Sequence, residues 1–569
     1  MKEVKDMEQQ LSLDLQFSIA SMDAGQVGNL RGIVADVSEA LRKNENLFKD
    51  NINFLTKELV TILKIPVQLT DAEGYPINQN TFQLYYINNA PFDQRSSPIP
   101  QMKKTGVIQQ ISDTLRAKDI IGTDESNVDA LVSLGSHAFL KSVAFHLSDE
   151  TVGPILVRMR SGTFDENVFK RANELIGYIR NIYVALVAIE NSLQYGRQPY
   201  VVLHGPLVRA IGAFADIIFG DFDFVRELVS INPNTGEGVG ELRIPANPNA
   251  ELYSLINGEI ILKEFDGFCR KLAAQGGCNK QCQNKTAQGY PLNNEEPIFG
   301  EDENAKLKQR KFPGLCLYFY LLRKLYEKCQ KHKILLASCV ENIENAREFT
   351  RIVFPSIMFP TKSNQRHCFT NLLKSHKLIL PFNDKQQQPE FIKKMQDVID
   401  ELNLKDSNLF THAMKEGCYT SPVEIFRYKE ENEVRRKFGH SISGVHNRHW
   451  EIIKRIFPPE KNAVMMSYVR TTPLKEPLRV EFFNIYGDEY HQLLKTIYAL
   501  TLPCQSYGMP VVLYYADLIA RTPQRLINAV VEGEIIDLIN RMGNVPFDTV
   551  MALLGKMNRN YLERKGVER

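Results

Sequence analysis

Three carboxylates and one histidine lie where apolar stretches of the sequence end. Asp124 follows IIGT, and His204 ends the short apolar run YVVLH. Glu190 lies near the end of a long apolar segment, and Asp517 follows VVLYYA. Two divalent cations about 4 Å apart can activate water and stabilise the leaving oxygen of a phosphodiester, and carboxylate oxygens hold such cations. These four residues are therefore the candidate catalytic and metal-binding side chains.

Each candidate also has a purely structural interpretation. Asp124 suits a turn or cap in TDES, and many helices end with a solvated glutamate such as Glu190. His204 could cap the turn that a glycine and a proline begin, and Asp517 could be the N-cap of a helix over LIARTP. If the metal site is real, imidazole favours manganese over magnesium, so Mn²⁺ is the expected cofactor and Mg²⁺ the second choice.

The elements that must position these residues follow from the apolar pattern. Alternating segments predict three adjacent strands: DIIGTDESN, ALVSLGSHAFLKSVAFHL and PILVRMRS. The next segments predict a long buried helix (LIGYIRNIYVALVAIENSL), a strand (YVVLH), two helices (LVRAIGAFADIIFG and FPGLCLYFYLLRKLYEKCQKH) and a fifth strand (KILLASCVEN). Three strands followed by alternating helix and strand is the order of the ribonuclease H-like fold. We therefore expect an α/β protein with a mixed sheet flanked by helices.

Breaks in this pattern divide the 569 residues, which exceed the size of one hydrophobic core, into predicted segments. The core segments are 119–220, 311–344 and 461–521. The additions are a helical or mixed region at 1–118, with a possible hairpin in YPINQNTFQLYYINN, an insertion at 221–310, a helical variable region at 345–460 and C-terminal helices at 522–569. Within the last core segment, NAVMMSYVR and LRVEFFNIY predict two more strands.

Charge and composition exclude some classes of protein. The 69 basic and 67 acidic residues leave a net charge of +2, so no global basic field indicates nucleic acid, and any DNA site is local. The basic clusters at 306–312, 427–440 and 446–455 are either DNA contacts, with Trp450 stacking on bases, or solvated helix faces. No long apolar run or secretory signal occurs, so we expect a cytoplasmic protein.

The nine cysteines indicate reduced thiols, because they are an odd number spread over a long chain. We expect Cys316, Cys329 and Cys339 in the core because their neighbours are apolar. Cys269, Cys278 and Cys282 cluster in a polar loop and are either zinc ligands or free surface thiols. A zinc site wants four ligands, and no second close pair follows.

The ordered segments resemble one known family. IIGTDESN, the helix with Glu190, VVLHGPL, KILLASCVEN, YVRTTPLKEPLRVEFF and MPVVLYYAD resemble the NurA nucleases, from about residue 119 to 521. The resemblance implies a ribonuclease H-like core, manganese-dependent cleavage of DNA, a homodimer and a HerA-like hexameric ATPase as partner. The sequence has no Gly-x4-Gly-Lys-Ser/Thr motif, so ATP-driven movement has to come from that partner.

The family pattern assigns roles to individual positions. Asp124 takes the place of the first aspartate, Glu190 of the helical glutamate, His204 of the second aspartate, Met509 of a tyrosine and Asp517 of the last histidine or aspartate. Two of these, His204 and Met509, depart from the pattern.

A third departure is Glu125, which replaces the glycine of the first motif. Exchanging a carboxylate for His204 removes one negative charge and weakens metal binding unless Glu125 or Glu174 compensates. Two functions therefore stay open: an active metal-dependent DNA nuclease, or a catalytically degenerate subunit that clamps DNA or acts as an adaptor. A ribonuclease H-like enzyme that acts on RNA is a third.

Overall fold

The computed structural model describes residues 82–86, 118–132, 135–162, 166–207, 247–272, 312–341, 346–350, 388–401, 403–424, 455–458 and 464–543, with a few isolated positions between them. Most of the predicted N-terminal helices lie outside the described residues. So do Cys278, Cys282 and nearly all of the three basic clusters, and the side chain of Cys269 is likewise not described. The predicted segment boundaries stay predictions.

The secondary structure elements follow in chain order. The first are β1 (Leu84–Tyr86), β2 (Lys118–Val132), β3 (Gly135–His146), β4 (Thr151–Gly162), α1 (Glu166–Gln194), β5 (Gln198–His204) and β6 (Ile218–Phe219). The middle of the chain forms α2 (Ala250–Ile256), α3 (Gly258–Leu272), β7 (Phe312–Pro313), α4 (Gly314–His332) and β8 (Leu335–Val340). The last elements are α5 (Gln388–Glu401), α6 (Asp406–Ala413), β9 (Cys418–Thr420), β10 (Val423–Glu424), β11 (Val464–Val469), β12 (Leu478–Phe483), α7 (Tyr490–Thr501), α8 (Val511–Ala520) and α9 (Gln524–Met542).

Ten of these strands form one mixed sheet. Its order is β1-β9-β11-β12-β8-β5-β2-β3-β4, and β10 pairs with β11. β2, β3 and β4 are antiparallel neighbours, whereas β5 runs parallel to both β2 and β8. The order β4-β3-β2-β5-β8 is the one that the predicted ribonuclease H-like succession requires. The predicted α/β class with a helix-flanked mixed sheet is confirmed.

Helices cover the sheet on two faces. On one face, here called the α1 face, α1 packs on β2, β3 and β5 and is itself covered by α4. On the other face, here called the α8 face, α7 packs on β8, and α8 packs on β2 and β3. Strands buried on both faces are apolar throughout, which explains the run QPYVVLH in β5. Successive side chains of a strand point to opposite faces, so residue parity assigns each side chain to one helical layer.

Two details differ from the sequence predictions, and a third lies mostly outside the described residues. β2 continues through Val132, so Asp124 lies in the middle of a 15-residue strand and not at its end. β1 pairs with β9, and the flanking residues 75–81 and 87–89 of the predicted hairpin lie outside the described residues. The helix predicted over LVRAIGAFADIIFG ends differently, because Ile218–Phe219 pairs as a strand with Phe312–Pro313. Residues 208–213 of that segment lie outside the described residues.

Two other expectations concern apolar side chains. Cys316, Cys329 and Cys339 are buried, as predicted. Within the described part of the chain, every helix is too short or too polar to cross a membrane.

Candidate active site

His204 ends β5 because the next residue leaves the strand conformation. Gly205 has a φ of +84°, in the left-handed region that glycine adopts without strain. Its amide donates to the carbonyl oxygen of Cys339 at 2.8 Å, and the hydroxyl of Ser338 donates to the carbonyl oxygen of Gly205. The turn after His204 is therefore bonded to the end of the neighbouring parallel strand, β8.

A buried glutamate holds the far side of this turn. The side chain of Glu481, on β12, is fully buried, and its Oε2 accepts a hydrogen bond from the amide of Leu207 at 2.7 Å. Its other oxygen accepts from Arg479. The phenol of Tyr318 donates to the carbonyl oxygen of Leu207 at 2.6 Å. The LRVEFF strand thus positions the loop that carries the histidine.

Asp124 and His204 contact each other directly. Parallel pairing aligns Thr123 with Leu203, so the two side chains emerge side by side. His204 Nδ1 lies 2.6 Å from Asp124 Oδ1, which also accepts the amide of Glu125 at 2.7 Å. Asp124 is only 2% exposed, whereas the imidazole is 29% exposed. The buried aspartate orients a histidine that reaches solvent.

Asp517 approaches this pair from α8. The segment VVLYYADLIA is one helix, so Asp517 lies inside it and the N-cap interpretation is wrong. Asp517 Oδ2 accepts the phenol of Tyr507 at 2.9 Å. Arg521 donates to both carboxylate oxygens, at 2.9 Å from Nε to Oδ1 and at 2.7 Å from a terminal nitrogen to Oδ2.

A glycine lets α8 lie this close to β2. A Cβ at Gly122 would be 2.7 Å from both the Cγ2 and the carbonyl oxygen of Val512, in the first turn of α8. At the other end of α8, Lys141 Nζ donates to the carbonyl oxygen of Ile519 at 2.5 Å. The helix is therefore held against β2 and β3 at both ends, which fixes the position of Asp517 on the face of β2 that carries Asp124.

A third carboxylate, Glu341, acts on the same histidine. Burial lowers the pKa of His204, but the hydrogen bond and charge of Asp124 and the charges of Glu341 and Asp517 outweigh it and raise the pKa above its ordinary value. The charges of Glu341 and Asp124 also raise the pKa of Tyr507, after burial and its bond to Asp517. Sequence reasoning missed Glu341, although it directly follows the buried strand LLASCV.

Glu190 is not part of this cluster. Its Oε2 lies 2.5 Å from Lys328 Nζ, and Asn249 Nδ2 donates to its Oε1 at 2.8 Å. It lies on α1, on the opposite face of the sheet, one turn before the end of the helix. The next strand, β5, begins shortly after that end. The seven residues of β5 place His204 about 20 Å further along the strand. The predicted convergence of Glu190 with the other three residues is wrong.

The two glutamates expected to compensate for His204 are also on the α1 face. A Cβ at Gly177 of α1 would lie 2.2 Å from Glu125 Oε2, so the Glu125 side chain packs against that helix. Glu174 accepts the phenol of Tyr178, one turn further along α1. Neither replaces the missing carboxylate on the α8 face, where Glu341 lies instead.

Comparison with known proteins identifies the second half of the core. Residues 316–522 match the family model of the NurA domain. Over this range the chain is similar to the NurA domain. No curated protein matches the sequence.

Three solved structures are similar to the chain. A crystal structure of NurA has 13% identity and a TM-score of 0.34, covering 91% of this chain and 99% of that chain. Another, of NurA bound to dAMP and manganese, has 13% identity and a TM-score of 0.31, covering 78% and 94%. The NurA nuclease from Sulfolobus solfataricus has 8% identity and a TM-score of 0.33, covering 78% and 96%.

The range that matches the NurA domain model contains only part of the cluster. Glu341 and Asp517 lie inside residues 316–522, as does the positioning residue Glu481, whereas Asp124 and His204 precede them. The cluster is therefore assembled from β2 and β5, which come before the matched range, and from β8 and α8 within it.

Met509, another departure from the family pattern, has no polar role. It is 1% exposed and packs in the apolar cluster of the α8 face. The phenol that contacts Asp517 belongs to Tyr507, two residues earlier. The site therefore has a phenol from Tyr507, although residue 509 is not a tyrosine.

The donor chemistry of the cluster fits a divalent cation. Three carboxylates and one imidazole are the ligand types that Mn²⁺ and Mg²⁺ accept. Among the described residues, no three His, Cys, Asp or Glu side chains stand close enough to form a closed metal site. Asp517 is held by Arg521, and His204 is held by Asp124. Metal binding at this cluster requires these side chains to exchange partners.

Proposed function

We propose that this chain is a nuclease of NurA type that hydrolyses phosphodiester bonds in DNA with Mn²⁺ or Mg²⁺. One observation carries the proposal: His204 Nδ1 lies 2.6 Å from Asp124 Oδ1, and the charges of Glu341 and Asp517 act on the same imidazole. The NurA domain supports it, because two of these carboxylates belong to that domain. RNA is the substrate to be excluded.

The roles of the residues follow from their positions. Asp124, Glu341 and Asp517 would hold the cation, which would lower the pKa of a water molecule and polarise the scissile phosphate. Nδ1 of His204 faces Asp124, which leaves Nε2 to hold a proton for the leaving oxygen. The imidazole is partly exposed, as a group that contacts a macromolecular substrate must be.

Arg521 has a second task in this proposal. Its side chain is 66% exposed, and its pKa is raised by the hydrogen bond and charge of Asp517. If Asp517 held a cation, the guanidinium of Arg521 would be free to bind another group beside it. A planar guanidinium binds phosphate with two hydrogen bonds, so we expect Arg521 to contact the DNA backbone.

The partners we propose are DNA, a HerA-like hexameric ATPase and a second copy of this chain, within the cytoplasm. They rest on the sequence resemblance to NurA nucleases and on the missing phosphate-binding motif. Co-purification with a co-expressed HerA-like ATPase and light scattering of the purified chain test the two protein partners.

The test of activity uses purified protein with end-labelled linear DNA, single-stranded DNA and RNA. Each substrate is incubated with Mn²⁺, with Mg²⁺ or with EDTA. We expect DNA cleavage in Mn²⁺ that EDTA stops and that Asp124→Asn and Glu341→Gln slow on the order of 100-fold, while Glu190→Gln cleaves like the wild type. Preferred cleavage of RNA contradicts the proposed substrate, and cleavage by Asp124→Asn at the wild-type rate contradicts the proposed site.

Absence of cleavage in every metal, with and without the ATPase, contradicts the enzyme and favours the degenerate subunit. In that case His204→Asp, which restores the carboxylate of the family pattern, is expected to create activity. If the wild type is active, the same substitution removes the group that holds the leaving-group proton and lowers the rate of cleavage.

A further inference from the structure

A second polar cavity lies away from the proposed nuclease site. It has a volume of about 400 Å³ and lies between the last turn of α1, the first residues of β2 and the connection from β3 to β4. The polar side chains that matter here are Asp119, His146, Asp149, Asn191, Ser192 and Arg197. Asp119 and Asp124 are roughly 17 Å apart along β2 and point to opposite faces. Cavities of this size accommodate small-molecule ligands.

Two buried oxygen atoms that line this cavity lack a hydrogen-bond donor. Asp119 is 3% exposed, and its Oδ1 has no partner among the described residues. Asn191 is 9% exposed, and its Oδ1 likewise has no partner in the described part of the chain. Leaving a buried acceptor unsatisfied costs about 1–3 kcal/mol, and more for a charged one. Both residues line the cavity, so a donor bound there is placed to satisfy these two oxygen atoms.

The cationic side chains that line the cavity already have partners within the protein. Asp119 Oδ2 accepts from Ser192 and from Nδ1 of His146 at 3.0 Å, and Nε2 of His146 lies 3.1 Å from the carbonyl oxygen of Gly153. Both ring nitrogens thus face acceptors. Arg197 pairs with Asp149 at the rim. The cations of the cavity are paired, and Asp119 Oδ1 is not.

The surroundings of Asp119 favour its ionised form. Burial alone would raise its pKa, but the hydrogen bond and charge of His146, the hydroxyl of Ser192 and the charge of Arg197 together lower it below its ordinary value. A buried charged oxygen without a partner attracts a cation more strongly than an exposed one, because the local dielectric is low.

The end of α1 adds negative potential to the same cavity. Asn191 and Ser192 lie in the last turn of this 29-residue helix, and that turn contains no basic residue. The C-terminal end of a helix behaves as about half a negative charge, which lysine or arginine often neutralises. An oriented helix end, a carboxylate oxygen and an amide oxygen thus meet in one small volume.

We propose that this cavity binds an organic cation with N–H donors, that is, a primary ammonium or guanidinium group of the polyamine class. The N–H groups would donate to Asp119 Oδ1 and Asn191 Oδ1. Hydrogen-bond donors and positive charge are both needed, because one acceptor is a carboxylate and the other a neutral amide. The site is separate from the nuclease cluster and does not depend on the proposed nuclease function.

Calorimetric titration of the full chain tests this proposal with three probes at constant ionic strength. Putrescine carries two primary ammonium groups, agmatine carries an ammonium and a guanidinium group, and tetramethylammonium carries the charge without an N–H donor. We expect saturable binding of putrescine or agmatine at one site per chain, and no binding of tetramethylammonium. Binding of all three cations with equal affinity, or of none, overturns the proposal.

Matched variants locate the site. Asp119→Asn removes the buried charge and is expected to weaken binding about tenfold or more, since charge-assisted hydrogen bonds are the stronger ones. Asp149→Asn removes the same charge from the rim of the same cavity and serves as the control, with little expected loss. Equal losses in both variants mean general electrostatic attraction and contradict the site.

A third variant keeps the test decisive if Asp119→Asn fails to fold. Asn191→Asp preserves the shape of the side chain and replaces the second acceptor by a carboxylate. We expect it to bind putrescine or agmatine more tightly than the wild type. Unchanged or weaker binding by a folded Asn191→Asp protein contradicts the proposed contact.

Discussion

The substitution Glu190→Gln separates the sequence-based and the structure-based versions of the active site. From the sequence, Glu190 was a metal ligand, whereas the structure pairs it with Lys328 on the other face of the sheet. Glutamine keeps the size of the side chain, and its amide oxygen still accepts from Asn249. The variant therefore removes the charge and little else.

The expected effect is a loss of stability. Glu190 and Lys328 are 5% and 11% exposed, and removing one partner of a buried ion pair costs about 3–5 kcal/mol. Lys328 keeps a second partner, Glu251, so its charge is not left alone. We therefore expect Glu190→Gln to lower the free energy of unfolding by about 1–3 kcal/mol, and to leave cleavage by the folded enzyme unchanged.

Two measurements on the same protein preparations show whether Glu190→Gln changes stability or activity. Urea denaturation followed by circular dichroism gives the free energy of unfolding, and the initial rate of end-labelled DNA digestion in Mn²⁺ gives the activity. Asp124→Asn is the paired variant, with an expected loss of activity on the order of 100-fold, the upper end of what loss of a metal-site residue or its hydrogen-bond partner costs. If Glu190→Gln loses cleavage and keeps its stability, the separation of α1 from the active site is refuted.

Three further outcomes follow from the described contacts. Glu341→Gln is expected to lose DNA cleavage as fully as Asp124→Asn while its urea midpoint stays near that of the wild type, and full activity would remove Glu341 from the site. Gly122→Ala places a Cβ 2.7 Å from Val512, so it should cost about 1–3 kcal/mol in urea denaturation and reduce cleavage, whereas an unchanged protein would contradict the close approach of α8. The pKa of Asp119 is lowered from its ordinary value of 3.8, so the ionised carboxylate stabilises the fold above about pH 4, and this stabilisation is lost as pH falls through the lower folded value. The free energies of unfolding of the wild type and Asp119→Asn should therefore become equal only below about pH 4. Equal free energies of unfolding at neutral pH would refute this.

The strands and the long helices were predictable because their signals are local. Alternation over DIIGTDESN and its neighbours indicated the antiparallel strands, and the continuous apolar runs YVVLH and KILLASCVEN indicated strands covered on both faces. The same reasoning found His204, because a polar side chain after a buried run marks the end of a strand. α8 was harder to predict, because VVLYYA is apolar at every position and so shows neither the helical period nor the alternation of a strand.

Glu190 was assigned wrongly because local sequence patterns do not show which face of the sheet a helix covers. Its position near the end of a helix was correct, but the sequence does not say which face of the sheet that helix covers. The register of β2 supplies the missing fact: Ile121 packs in the cluster of α1, and Gly122 contacts Val512 of α8. Side chains of α1 therefore meet the odd-numbered residues of β2, and Asp124 faces away from them.

The same alternation explains why a glycine and the proposed catalytic aspartate lie two residues apart. Gly122 and Asp124 project to the same face of β2, so the missing side chain at 122 admits the first turn of α8 beside the carboxylate at 124. Asp517 is five residues after Val512, the point of that contact, and is thereby brought next to Asp124. β5 and β8 run parallel to β2, so their carboxyl ends deliver His204 and Glu341 to the same edge. Because the close contact at Gly122 determines where α8 lies, a substitution there should reduce cleavage even though the glycine touches no substrate.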